Sequence, residues 1–488
     1  MNYAKTLFLA LSGIGGLTSS FASGDDKPAQ SKPNVLVVLV DQWRGEALGV
    51  LKQEPVITPH LDSLAGKSLV LAQTITNYPL CSPSRATLMT GNYPLKNNVY
   101  SNVNSKSTPY GVELPTDMTC WSDVLKANGY STGYIGKWHL DAPHEPYIPT
   151  SNNMRGVAWN EWTPPNRRHG FDYWYAYGTY DEHDMPMYWD THAGRDDFHY
   201  VKQWEPEHDV DKAIEFLKNT DNSYRDNRKP FSLVVSINPP HSPYNRTPEK
   251  YVDRYKDIPD EAMLKEPNIP AAGTEMGDFY RKNIREYYAA MTGVDEQVGR
   301  LLGQLRASGL SKNTIVIFMA DHGNCLGMHD EVSKNVIYEE SVRIPFIIHW
   351  EGHIMPAIDH TLLFTVADIY PTLLDMLPLQ NRLSNTVEGT SYAGYFLKRK
   401  DKLPAVQYFM GSISPSNKDT GFRGVRNTNY KLAYETSGKT KKVYLFDLQK
   451  DPFELNNISN EKKDVVAALT KQLKAWLAKT NDPFTLPD

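Results

Sequence analysis

The feature that most constrains this 488-residue chain is a series of short, largely apolar runs, most of them ending abruptly in residues that carry chemistry. Residues 35–40 read VLVVLV and stop at Asp41; residues 231–237 read FSLVVSI, residues 314–319 read TIVIFM, and a shorter run covers 345–348. A run that is apolar at every position has the pattern of a strand covered on both faces. Helix-like segments fall between the runs, at 121–128, 210–218 and 287–305. Strands alternating with helices predict an α/β fold, a mostly parallel sheet flanked by helices. In such sheets the functional site lies beyond the carboxyl ends of the strands, so the residues just after each run should converge.

Those residues are chemically alike. The first run ends in Asp41-Gln42. The run around Tyr134-Ile135 ends in Gly136-Lys137-Trp138-His139, the third in Asn238-Pro239-Pro240-His241, and the fourth in Asp321-His322-Gly323. Carboxylates, amides, imidazoles and an ammonium delivered to one edge favour an active site. Residues 150–204 differ, being rich in Trp, Tyr, His and Pro with little periodicity. A long irregular segment of this kind is usually functional, and its rings suit a sugar-lined cleft. Beyond about 379–389 the chain turns polar and a second unit follows. Strands are predicted there at 424–434 and 442–448, with a closing amphipathic helix at 465–477. The predicted division is a signal peptide at 1–22, a catalytic domain at 25–385 and a C-terminal subdomain at 386–488.

Composition bounds the function. Hydrophobic residues make up 40% and charged residues 22%, as in a globular protein, and the formal charge of −5 gives no reason to expect a nucleic-acid partner. Lys5, the short apolar stretch 7–17 and Ser20-Phe21-Ala22 read as an export signal. The stretch is too short, and too broken by Gly13, Gly15 and Gly16, to anchor the chain. The predicted location is periplasmic or secreted, with no membrane span in the mature form. Three cysteines are present, Cys81, Cys120 and Cys325. An odd count in an exported chain leaves at least one thiol to be explained; pairing of Cys120 with Cys325 stays open.

Cys81 has the informative neighbourhood. The segment Cys81-Ser82-Pro83-Ser84-Arg85, continuing to Thr90-Gly91, resembles the C-x-P-S-R signature of type I sulfatases. The resemblance extends through residues 34–44, Thr58-Pro59-His60-Leu61-Asp62, residues 129–139, Tyr430-Lys431 and Asp451-Pro452-Phe453-Glu454. It implies the fold of the alkaline phosphatase superfamily, with a smaller C-terminal antiparallel sheet carrying a helix. It also implies that a maturation enzyme converts Cys81 to formylglycine (3-oxoalanine). One oxygen of the hydrated aldehyde would then attack sulfur and the other would expel sulfate.

The site residues implied by the resemblance follow one by one. Asp41, Gln42, Asp321 and His322, with an oxygen on residue 81 (Cys81), would hold one divalent cation. Hard oxygen ligands suit Ca²⁺. Gln42 and His322 depart from the family's commoner Asp and Asn, which leaves Mg²⁺ or Mn²⁺ open. Arg85 would hold the aldehyde hydrate, and Lys137 and Lys334 would bind sulfate. His139 would act as the base that releases it, and His241 as the acid that protonates the departing alcohol. The reaction implied is removal of an O-sulfate from a carbohydrate, a galactose or N-acetylhexosamine sulfate of a glycan. A phosphonate monoester hydrolase or phosphodiesterase is the rival reading. Candidates for contacting the sugar are His169, His183, Arg195 and Trp204 in the aromatic segment, and Arg423 in the second unit.

Overall fold

A computed structural model of the chain describes residues 32–382, 387–398, 402–437 and 439–487. The expected signal segment and the expected division at 385/386 lie outside them. The strands are β1 (Asn34–Val40), β2 (Leu69–Leu71), β3 (Ser131–Lys137), β4 (Tyr173–Tyr177), β5 (Met187–Tyr188), β6 (His199–Tyr200) and β7 (Phe231–Ile237). They continue with β8 (Thr314–Ala320), β9 (Phe346–His349), β10 (Ala357–Asp359), β11 (Gln407–Gly411), β12 (Phe422–Arg426), β13 (Tyr430–Ser437) and β14 (Thr440–Asp447).

The main sheet has the order β10-β2-β9-β8-β1-β7-β3-β4. Every residue of β1, β3, β7 and β8 is buried, which is why β1, β7 and β8 read as largely apolar runs rather than alternating ones, while β3 (STGYIGK) is short of apolar residues. Glu205–Lys218 packs on β3 and β7, and Trp121–Ala127 packs on β3. The sheet is parallel except for β9, which runs antiparallel to both β8 and β2. The run at 345–348 was expected to join the parallel set. No crossover helix lies between β8 and β9, so the chain stays at the carboxyl edge and can only run back. The long helix Glu275–Ala307 begins a dozen residues before the expected start. Thr274 caps it by accepting from Gly277 N, and Tyr280 and Ile284 carry its buried stripe toward the N-terminus.

Residues 150–204 are more ordered than their sequence suggests. They contribute β4, the edge of the main sheet, and the β5–β6 pair. Many of their aromatics are core: Trp174, Tyr175, Tyr177, Tyr188 and Trp189 are all buried, and Tyr134, Trp138, Phe171 and Trp174 form one cluster of edge-to-face, stacked and tilted rings. Tyr200, by contrast, is exposed, and the half-buried Trp159 lies against His139.

The second unit is an antiparallel sheet, β11-β12-β13-β14, with Lys463–Lys479 packed on β12 and β13. The single strand expected at 424–434 is two, because Asn427 Oδ1 accepts from the backbone N–H groups of Asn429 and Tyr430 and closes a turn between them. This sheet is joined to the first by paired main-chain and side-chain bonds. Met410 N donates to Asn77 O, and Asn77 Nδ2 donates to Tyr408 O, both at 2.9 Å. A small core of Ile75, Ile337, Val342, Phe409, Phe422, Ala433 and Phe446 fills the seam.

Candidate active site

The polar residues that follow β1, β3, β7 and β8 meet around Cys81, the first residue of the helix Cys81–Thr90. That helix is buried over its whole length; Leu80 before it offers no capping side chain, and Asn102 Oδ1 accepts from Ser82 N at 3.2 Å. The positive end of its dipole lies at residue 81. Cys81 Sγ stands where the oxygen of a matured residue 81 would stand.

Asp41, Asp321, His322 and Cys81 form one buried group whose donor atoms all lie within 4.8 Å of one another. His322 Nδ1 bonds the carbonyl of Gly323 at 2.8 Å, so that nitrogen carries the hydrogen. Its Nε2 faces Cys81 Sγ at 3.3 Å, Asp41 Oδ1 at 3.4 Å and Asp321 Oδ1 at 3.5 Å. An imidazole lone pair surrounded by carboxylate oxygens needs either a proton or a metal cation among them. Two carboxylates, an imidazole and the residue-81 position thus fit a single divalent ion. Arg85 orders this group: its guanidinium donates to Asp321 Oδ2 (2.9 Å), Asp41 Oδ2 (3.1 Å), Lys137 O and Ser236 Oγ (both 2.7 Å). Arg85 was expected to hold the aldehyde hydrate. The structure instead commits most of its N–H groups to the two carboxylates and to the strand ends.

Two ammonium groups complete the charge. Lys137 Nζ lies 2.7 Å from Asp41 Oδ2, donates to Asn238 Oδ1 at 2.9 Å and is 4.0 Å from Cys81 Sγ. Lys334 Nζ lies 3.3 Å from Cys81 Sγ on the more open side of the site. It also donates to Gln42 Oε1 at 3.0 Å, while Gln42 Nε2 donates to Ser333 Oγ. Gln42 therefore reaches the site with its carboxamide oxygen already accepting from Lys334.

The electrostatics follow from burial and this crowding. Burial pushes Asp41 up, but Lys137, Lys334 and neighbouring imidazoles outweigh it and hold the carboxyl well below its usual range. Burial and the charge of Asp41 raise Asp321 to about 6. Burial works against a charged His322, yet Asp321 and its neighbours lift it to about 9. Burial and Asp41 oppose ionisation of Cys81, but Lys137, Lys334 and His322 draw its thiol well below the ordinary value.

Two further histidines stand at the site. His139 Nε2 bonds Val103 O at 2.9 Å, so its hydrogen is on Nε2. Nδ1 is buried without a partner, and the ring adjoins Cys81. Burial first, then the Lys137 charge, keeps this imidazole neutral by lowering its pKa. His241 Nδ1 bonds Ser242 O at 2.7 Å and lies 3.4 Å from Asp181 Oδ1, which leaves Nε2 free at a partly exposed position.

The residues expected to contact a sugar lie elsewhere or serve otherwise. Arg423 is buried in β12, forked onto Asp482 at 2.5 and 3.0 Å, with its other N–H groups on main-chain oxygens of Lys418, Thr420 and Phe422. Trp204 is core, its ring against Tyr251 and so close to Gly293 that a Cβ there would lie 2.4 Å from it. His169 is buried against Trp138 and lies 3.5 Å from Asp123. Arg195 is tied to Glu161 and to the carbonyls of His144 and Pro146. His183 is buried, with both nitrogens engaged by Glu205 and the carbonyl of His241. Cys120 and Cys325 are both buried free thiols.

Sequence reasoning did not single out Asp181, Glu205 or Ser236. Glu205 occupies the first turn of a helix, where an acid is ordinary, and Asp181 sits in an aperiodic turn; only the tertiary structure brings them to His241.

Comparison with known proteins agrees with this geometry. Residues 33–379 match the Sulfatase family profile, and residues 327–482 match the profile of the N-sulphoglucosamine sulphohydrolase C-terminal region. An endo-4-O-sulfatase of Bacteroides thetaiotaomicron is 37% identical over 96% of this chain and 98% of its own length. An ulvan-active sulfatase of Formosa agariphila is 32% identical over 95% of this chain and 84% of its own. A sulfatase crystal structure from Bacteroides fragilis superimposes with a TM-score of 0.89 at 48% identity, covering 93% of this chain and 97% of that one. The sheet, the cluster around Cys81 and these matches agree: the chain belongs to the sulfatase family, sulfuric ester hydrolases with the alkaline-phosphatase-like fold.

Proposed function

We propose that this sulfatase removes an O-sulfate from a carbohydrate, a galactose or N-acetylhexosamine sulfate of a glycan, after Cys81 has been matured to formylglycine. The carbohydrate reading rests on the two relatives, named for 4-O-sulfate and for ulvan, that align over nearly the whole chain. The observation that carries the mechanism is the tautomer of His139, whose Nε2–H is donated to Val103 O while the unpartnered Nδ1 remains beside residue 81.

A hydrated aldehyde at residue 81 supplies an oxygen nucleophile and, by collapse, an exit for sulfate that a thiol or serine lacks. Asp41, Asp321 and His322, with residue 81 and Gln42 at the edge, would hold a divalent cation. We assign Ca²⁺ because oxygen ligands dominate, and bound there it supplies positive charge beside the nucleophile and the sulfuryl oxygens. Lys137 and Lys334 flank Cys81 from two sides and place ammonium charge where the sulfuryl oxygens gain negative charge. Arg85 holds the two carboxylates in place. The neutral His139 takes the proton whose removal lets sulfate leave. His241, with Nδ1–H fixed on Ser242 O, presents Nε2 to the departing alcohol and protonates it. The reaction fits an enzyme working outside the cytoplasm, in the periplasm or secreted, and no helix among the described residues is long and apolar enough to cross a membrane.

The test is a panel of defined mono- and disaccharide sulfates, an aryl sulfate and a phosphate diester, assayed with the matured enzyme and with Cys81→Ala. Sulfated sugars should be turned over, with the diester far slower and Cys81→Ala inert although folded. Preference for the diester would transfer the protein to the phosphonate hydrolase reading.

A further inference from the structure

His183 and Glu205 form a buried couple that faces the acid side of the site without reaching residue 81. Glu205 N donates to His183 O at 2.7 Å, and His183 Nδ1 meets Glu205 Oε2 at 2.7 Å, so main chain and side chains are tied together. The second carboxylate oxygen of Glu205 accepts from the Tyr177 hydroxyl. His183 Nε2 lies 3.0 Å from the carbonyl oxygen of His241. A carbonyl oxygen can only accept, so Nε2 must carry a hydrogen. The carboxylate on the other side, with one oxygen already accepting, calls for a hydrogen on Nδ1 as well. His183 is thus an imidazolium strung between Glu205 and the main chain of His241. Charge-assisted bonds of this length are the strong kind. On the same turn, Asp181 accepts from Asn238 Nδ2 at 3.1 Å and sits beside the His241 ring.

We propose that the Glu205–His183 couple is a positioning device for the reaction. It holds the His241 main chain so that the ring, with Nδ1–H fixed on Ser242 O, aims Nε2 at the ester oxygen. Neither residue is catalytic, since neither touches substrate or the reacting atoms. The inference rests on the reading of His241 as the acid. It accounts for a histidine buried with two acceptors, and for a glutamate placed fully out of water on the strand side of its helix.

The couple predicts a particular kinetic signature. Acid assistance matters little for a good leaving group and much for a poor one. Loss of positioning should therefore steepen the dependence of kcat on the acidity of the departing phenol, with KM little changed. The experiment measures kcat and KM for a series from 4-nitrophenyl to 4-methoxyphenyl sulfate with matured wild type, His183→Gln, Glu205→Gln and His241→Ala. The steepness is a ratio across substrates, so a smaller folded fraction in any variant cancels from it. His183→Gln and Glu205→Gln should lose about tenfold on 4-methoxyphenyl sulfate and less than about threefold on 4-nitrophenyl sulfate. His241→Ala should show the same skew more strongly. If His241→Ala is skewed and both couple variants fall equally on every substrate, the positioning role is overturned while the acid assignment stands. If His241→Ala itself shows no skew, the acid assignment fails and the couple's role fails with it.

Discussion

The Arg85 guanidinium spans Asp41 and Asp321, meeting an oxygen of each at 3.1 and 2.9 Å, with all three side chains out of water. Two carboxylates this close repel each other, and the fork that holds them apart sets the position of the donors around residue 81. A lysine can supply the charge but not the planar fork. Arg85→Lys should therefore weaken divalent-cation binding about 10- to 100-fold, read by titrating EDTA-stripped protein with Ca²⁺ and following the thermal midpoint. An unchanged affinity would remove Arg85 from the ordering of the site.

The metal assignment has its own check. EDTA should abolish turnover, and Ca²⁺ should restore it with a rise in stability of about 2.7 kcal/mol at a hundredfold excess over Kd. Restoration by Mg²⁺ or Mn²⁺ in preference to Ca²⁺ would reassign the ion. Indifference to both chelator and metal would contradict a cation among Asp41, Asp321 and His322.

Arg423 should behave as a strut. Its truncation leaves the buried Asp482 carboxylate unpaired, so Arg423→Ala should cost about 3–5 kcal/mol in urea unfolding. The folded fraction should keep kcat/KM within about a factor of two. A loss of kcat/KM on sugar sulfates without loss of stability would instead restore Arg423 as a wall of the site.

His208 carries a predicted pH dependence of stability. Burial first, then the charge of Lys212, pushes its pKa down to about 4. The ring accepts from the Tyr175 hydroxyl at 2.8 Å while its other nitrogen donates to Gln203 Oε1 at 3.0 Å. The folded value lies below the unfolded value of about 6.5, so this contribution is complete above pH 6.5 and lost as pH falls toward 4. Between pH 7 and pH 4 the wild type should lose about 1–2 kcal/mol that His208→Gln does not, allowing for the ring's partial access to solvent. Parallel curves for the two proteins would contradict a neutral buried imidazole.

What the sequence made legible was chemistry that is local in the chain. The strand ends at Asp41, His241 and Asp321 could be read because strands buried on both faces are largely apolar and a parallel sheet brings their ends together; Lys137 ends a less apolar strand and was read from the residues around it. The long motif around Cys81 named the centre. Strand direction was not legible at β9, since an apolar run has no polarity; the direction follows from the loop staying on one edge. The aromatic segment was ambiguous, because Trp and Tyr suit both a sugar cleft and a core: Trp174, Tyr177, Tyr188 and Trp189 are core, while Trp159 lies against His139. Arg423, read as a candidate sugar contact just before a predicted strand, is instead buried against Asp482, a partner 59 residues away that no local pattern announces. The roles of Asp181, His183 and Glu205 depend on contacts across the fold that no spacing encodes.

The central claim is that residue 81 works as an aldehyde hydrate and not as a thiol. Peptide mass spectrometry of the purified, active enzyme measures this directly. The peptide bearing residue 81 should be lighter than its thiol form by about 18 Da, the exchange of SH and H for an aldehyde oxygen. The converted fraction should rise in proportion to specific activity across preparations. Full activity in protein whose residue 81 is entirely unmodified cysteine would contradict the account.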